Sequence, residues 1–191
     1  MNDFSLYFAT GWYHIISVHA LDHILFIAAL AAIYLLGNWR QVLILVTAFT
    51  VGHSLTLALS VYDIIRVNEK WVEFLIPCTI IATAVFNFFV RDFSLRSLRL
   101  NYFLALFFGL IHGMGFANTI RFMLAKNQQM AVPLAGFNLG LEAGQIVLVS
   151  LILLISYLLV DKLKLKRVWW VRAVSGICFL IAVKMAVERW P

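Results

Sequence analysis

Charge and cysteine are both scarce in this chain, and each scarcity excludes something. Charged residues make up 13% of the 191 positions and hydrophobic residues 63%, which is too little polar surface to clothe a water-soluble body of this size. The apolar residues fall in runs of about twenty, the length that carries a helix across the ~30 Å hydrocarbon core of a bilayer. The two cysteines, Cys78 and Cys178, lie inside such runs without a CxxC or thiolate-metal spacing. They read as small packing residues, not as a disulfide framework. No low-complexity tract or interior linker divides the sequence, so a single transmembrane domain is expected over 1–191. The start Met1-Asn2-Asp3-Phe4 lacks a basic n-region and a small-residue cleavage site, and the first hydrophobic segment is expected to stay in the protein. The net charge of +6 sits in loops, where it meets anionic lipid headgroups rather than nucleic acid.

The expected fold is all-α, a polytopic bundle of six membrane helices over roughly 12–36, 41–61, 71–90, 101–124, 133–160 and 168–187. Breaks fall at Gly37 to Arg40, Asp63 to Lys70, Arg91 to Arg99, Lys126 to Gln129 and Asp161 to Arg167. The fifth span is too long for a perpendicular crossing and is expected to tilt or protrude. Odd loops carry Arg40, Arg91, Arg96, Arg99, Lys162, Lys164, Lys166 and Arg167, eight basic residues, against five on the other side, Arg66, Lys70, Arg121, Lys126 and Arg189. That bias puts the odd loops in the cytoplasm and both termini outside.

Against this apolar background, Asp22 and His23 stand side by side within the first span. An ionisable group at the centre of a membrane helix costs at least about 2.5–3.5 kcal/mol, so each one asks for a partner and a purpose. His53, His112 and Glu142 are the candidates, each in a different span. At about 1.5 Å per residue, all five groups fall in one layer roughly 12 to 17 Å below the outer surface. Scattered structural polar residues have no reason to agree in depth.

Helical spacing extends the layer into a seam. Asn138, Glu142 and Gln145 share one face, as do Thr50, His53 and Ser54. Thr79, Thr83 and Asn87 run below Glu73. Gly109 and Gly113 flank His112 as a small-xxx-small pair that lets a partner helix come close. The bland alternatives remain open: Thr and Ser hydroxyls commonly bond a carbonyl of their own helix, and a lone histidine can be an interhelical donor. His19 is placed to join His23 as an i, i+4 pair. A continuous helix puts His14 about half a turn from His23, at a mouth position. The sixth span shows no polar stripe and reads as scaffold, and Trp12, Trp71, Trp169, Trp170 and Trp190 read as aromatic belts.

Three imidazoles and two carboxylates form a nitrogen and oxygen donor set without thiolate, suited to divalent Zn, Ni, Co, Mn or Fe rather than Cu(I). Asp22 is equally suited to orient a metal-bound imidazole without touching the metal.

The motifs resemble the second type of HupE/UreJ protein. The matching stretches are Gly11-Trp12-Tyr13-His14 with Asp22-His23-Ile24-Leu25-Phe26, the run from Phe49 to Leu57 around His53, Glu73 to Pro77, the run from Phe108 to Phe116 around His112, and the run from Phe137 to Gln145. The resemblance implies a six-span bacterial inner-membrane protein described as a nickel or cobalt permease, possessing family positions at His14, Asp22, His23, His53, Glu73, His112, Asn138, Glu142 and Gln145. His19 lies outside that pattern.

The leading reading is a non-enzymatic metal permease, in which His23, His53, His112, Asp22 and Glu142 bind nickel or cobalt, His14 and Glu73 form the mouth, and Asn87, Asn138 and Gln145 line the seam. Lipids, the metal ion and cytoplasmic metalloenzyme accessory proteins are its expected partners. The alternative is an intramembrane zinc hydrolase acting on a lipid or acyl substrate, with Asp22, Ser54 and Glu142 as its working groups; almost uniformly apolar cytoplasmic halves favour it over an open pore. A haem module with His53 and His112 as axial ligands fits the carboxylates poorly.

Overall fold

A computed structural model of the chain describes residues 3–17, 20–90, 93, 100–116, 120 and 130–191. Among these, regular structure is entirely helical, because a backbone in hydrocarbon must satisfy its own N–H and C=O groups. The helices are α1 (Asp3–Ile16), α2 (Leu21–Ala31), α3 (Trp39–Val61), α4 (Glu69–Phe89), α5 (Leu100–Gly115), α6 (Ala131–Ser156) and α7 (Arg167–Glu188). A short 3-10 turn, Leu36–Asn38, leads into α3, and a π-helical turn, Tyr157–Lys162, prolongs α6.

The first expected span, 12–36, is corrected by the structure. It is two helices, α1 and α2, meeting at 67°. Asp22 supports the first turn of the second helix: its Oδ1 accepts the backbone N–H of His23 at 2.9 Å, and an acidic side chain there suits the positive end of the helix dipole. Four stretches are long and apolar enough to cross a membrane, Leu36–Val61, Glu69–Phe89, Ala131–Lys162 and Arg167–Glu188, and a fifth arises if α1 and α2 form one bent span. The expected six therefore become four or five among the described residues. With 16 residues α5 is shorter than a span, and the rest of its expected range, to 124, lies largely outside the described residues, as does His19.

Three helix pairs build the bundle: α1 with α6, α3 with α5, and α4 with α7. Glycines set the first two. Gly136, Gly140 and Gly144 climb α6 beside Phe4, Phe8 and Ile15 of α1, so the two helices run parallel, and a Cβ on Gly140 would collide with the Phe8 carbonyl. Likewise Gly109 and Gly113 lie against the carbonyls of Phe49 and His53, the close approach that their spacing implies. Thr56 Oγ1 ties this pair by donating to the Leu110 carbonyl at 2.7 Å.

The third pair is joined to α2 by Asn87. Its amide donates to the Ala29 carbonyl at 2.7 Å and to Ser175 Oγ at 3.0 Å. Asn87, expected in the seam, is thus an interhelical pin whose polar group is satisfied within the bundle. Thr79 and Thr83 donate to the carbonyls of Ile76 and Thr79 in their own helix, and Arg167 donates to the Ile33 carbonyl. Ile44, Phe103, Leu139, Val147 and Leu180 are exposed and form the apolar girdle that a bilayer would cover.

Close packing at Gly140 makes it the sharpest test of this arrangement. Gly140→Val is expected to destabilise the protein by about 1–3 kcal/mol through overpacking, read as a lower unfolding midpoint in detergent. An unchanged midpoint would mean that α1 and α6 do not approach this closely.

Candidate metal centre

The break between α1 and α2 does more than bend the chain. Nine residues of continuous helix would turn His14 about 180° away from His23, but the 67° bend sets the last turn of α1 against the first turn of α2. The two rings stand 4.6 Å apart, centroid to centroid. His53, from the middle of α3, completes a trio with ring distances of 6.4 Å to each. One ring nitrogen from each of His14, His23 and His53 lies within 4.8 Å of the others. His14, expected at the mouth, belongs to this cluster.

The unpartnered atoms show what the trio is suited to hold. His14 Nε2, His23 Nε2 and both nitrogens of His53 are buried and make no hydrogen bond, and His53 is fully buried. Buried polar atoms nearly always find a partner, so several orphans converging on one point mark a place for a ligand. Neutral imidazole nitrogens fit a borderline divalent cation such as Zn, Ni or Co, and three of them leave further coordination positions open.

His112 stands next to this trio. Its ring lies 5.2 Å from that of His23, and its Nδ1 faces the Phe108 carbonyl at 2.8 Å. That contact assigns the proton to Nδ1 and leaves buried Nε2 without a partner. Phe26 and Phe49 pack on His112, Phe116 on His14, and Phe137 on His53, at centroid distances from 4.0 to 6.1 Å. These rings exclude water from the nitrogens and so strengthen any bond to a cation.

Asp22 approaches the cluster from its side. Its Oδ1 accepts from His23 Nδ1 at 3.0 Å, which directs Nε2 of that ring to the trio. A carboxylate in this position fixes the tautomer of an imidazole ligand. Arg189 Nη1 reaches the second oxygen, Oδ2, at 3.4 Å. Above the histidines a cavity of about 550 Å³ is lined by Thr10, Tyr13, His14, Asp22, His23, Glu73, His112 and Arg189 among others. Glu73, near the start of α4, lies on the wall of that cavity. Below, the packing of Phe26, Leu30, Val46, Phe49 and Gln145 leaves a void of only about 10 Å³, no more than a single water could occupy.

Other expected site residues are not gathered here. Glu142, on the partly exposed flank of α6, accepts a hydrogen bond from Thr47 Oγ1 at 2.8 Å and takes no part in the histidine group. Gln145 accepts from Thr50 Oγ1 at 2.9 Å, one helix turn further along, which ties α6 to α3. Ser54 donates to the Thr50 carbonyl of its own helix at 2.7 Å. Asn138 is the exception: it donates to the Leu134 carbonyl at 2.9 Å and its side chain stands beside the His53 ring. Arg189 falls outside the expected set because the sixth span carries no polar stripe; its place at the C-terminal end of that span, at the expected level of the seam's opening, was the available signal.

Fold and cluster together define a multi-pass helical membrane protein with a histidine group at the base of a polar cavity. The chain belongs to the HupE/UreJ family: the family model described as HupE / UreJ protein matches residues 1–189. No curated protein and no solved structure matched it.

The geometry bears on two residues with different expected places, His14 at the mouth and Glu142 in the metal site. His14→Ala is expected to reduce cobalt(II) or nickel(II) affinity by at least about tenfold, as loss of a ligand should, whereas Glu142→Gln should leave it within about twofold. Titration calorimetry on the detergent-solubilised chain decides this, and the reverse order would remove His14 from the site.

Proposed function

We propose that this protein binds a divalent transition metal, nickel or cobalt, at His14, His23 and His53, and serves as its permease in the bacterial inner membrane. One observation carries the reading: three imidazoles from three helices converge with unpartnered nitrogens at the base of a polar cavity. Family membership supports it. Glu73 and Asp22 contribute negative charge to the cavity wall, which would draw a cation in, while the imidazoles would replace part of its hydration shell. His112, whose Nε2 has no partner, is an additional donor beside the trio. In this reading both termini face the extracytoplasmic side, the cavity opens to that face, and basic cytoplasmic loops are available to metalloenzyme accessory proteins.

The void of about 10 Å³ beneath the cluster favours a second reading, an intramembrane zinc-dependent hydrolase acting on a lipid or acyl substrate. Packing that tight suits a retained metal better than a through-route. Of the three working groups expected for it, Asp22 alone lines the cavity; Ser54 and Glu142 are engaged elsewhere.

Reconstitution in proteoliposomes distinguishes the two. Purified, chelator-washed protein is expected to be nearly metal-free, to accumulate nickel or cobalt down a gradient, and to lose that uptake in His53→Ala. Glu73→Gln should slow uptake while changing equilibrium affinity little. About one zinc per chain retained after washing, without uptake of either metal, would overturn the permease reading in favour of the hydrolase.

A further inference from the structure

The sixth expected span reads as scaffold, yet its last charged residue touches the cluster's wiring. Arg189 follows directly on Glu188, the final residue of α7, and its backbone N–H closes that helix by donating to the Met185 carbonyl at 3.0 Å. A basic residue at a helix C-terminus is ordinarily accounted for by the helix dipole. Here the guanidinium instead crosses to α2, where Nη1 lies 3.4 Å from Asp22 Oδ2. The other oxygen of the same carboxylate holds His23 Nδ1. Exposure falls along this chain of contacts, from 31% at the Arg189 side chain to 14% at Asp22 and 5% at His23, so it runs from the cavity wall into the dry interior.

We propose that Arg189 is a positioning residue for the histidine cluster: by holding Oδ2 it orients Asp22, and Asp22 in turn keeps the His23 proton on Nδ1 and leaves Nε2 free for the trio. Oδ1 accepts from both the backbone N–H and Nδ1 of His23, and the Arg189 contact at Oδ2 fixes the carboxylate plane that keeps this oxygen aligned with Nδ1. The 3.4 Å separation exceeds that of a charge-assisted hydrogen bond, about 2.7–2.9 Å, and the contact is one of electrostatic orientation. Arg189 touches no cation itself. Its importance for metal affinity rests on the reading that the trio binds metal; its hold on His23 does not.

The test uses the full chain in detergent, labelled with ¹⁵N-histidine and free of metal. Long-range ¹H–¹⁵N spectra should show His23, identified by the signal lost in His23→Gln, with its proton on Nδ1. In Arg189→Ala and Arg189→Gln that signal should move to a mixture of tautomers, and Arg189→Lys should restore part of it. Cobalt(II) affinity should fall about 10- to 100-fold in Arg189→Ala, the range for losing a group that orients a ligand. It should fall no further in Arg189→Ala/Asp22→Asn than in Asp22→Asn alone, since both act through one path. An unchanged tautomer in both neutral variants, or additive losses in the double variant, would overturn the proposal. A tautomer change in the Arg189 variants, with a wild-type chain that binds no cobalt, would uphold the hold on His23 and overturn the metal reading instead.

Discussion

The interruption of the first membrane segment is the constraint on which the rest of the site depends. A helix carried straight through from α1 to α2 would point His14 and His23 in opposite directions, and His14 would be lost from the trio. The 67° bend brings the end of one half-helix against the start of the next. Asp22 serves both parts of the arrangement, accepting the backbone N–H of His23 in the first turn of α2 and the imidazole proton of the same residue. Membrane proteins that handle ions commonly place their sites at broken helices, where helix termini supply both polar groups and room. In this chain the break also aims two side chains.

Close backbone contact supplies the second requirement. Gly140 sets α6 against α1, and Gly113 brings α5 to the backbone of α3 at His53. With no large side chain between the helices, their imidazoles come within a few ångströms of each other. Phe26, Phe49, Phe116 and Phe137 then pack on these rings. The result is a set of buried nitrogens without hydrogen-bond partners, an arrangement that is unfavourable when empty and for that reason suited to a cation.

Polar residues within the spans divide into two groups by what they touch. Thr79, Thr83 and Ser54 are satisfied by carbonyls of their own helices, while Asn87 and Gln145 bond across to other helices and hold them together. His14, His23, His53, Asp22, Glu73 and Arg189 face a shared cavity or cluster. Glu142 belongs with neither set in full: it is bonded to Thr47 on a partly exposed flank, apart from the histidines. Depth along the membrane normal could not distinguish these cases, because two helices can present a group at the same depth on opposite faces.

Membrane location, helical class, the polar groups worth attention and the close approach of α5 to its partner were legible in the sequence alone. Each follows from quantities that the linear chain carries: hydropathy over about twenty residues, the cost of a charge in hydrocarbon and the small-residue spacing of Gly109 and Gly113. Tertiary structure decided which of those groups meet. It moved His14 from the mouth into the cluster and Glu142 away from it, made Asn87 a pin, and linked Arg189 to Asp22 across 167 positions. The physical reason is that azimuth and chain direction are properties of packing: a bend at one break reorients every residue beyond it, and periodicity along a helix cannot reveal where that helix stops.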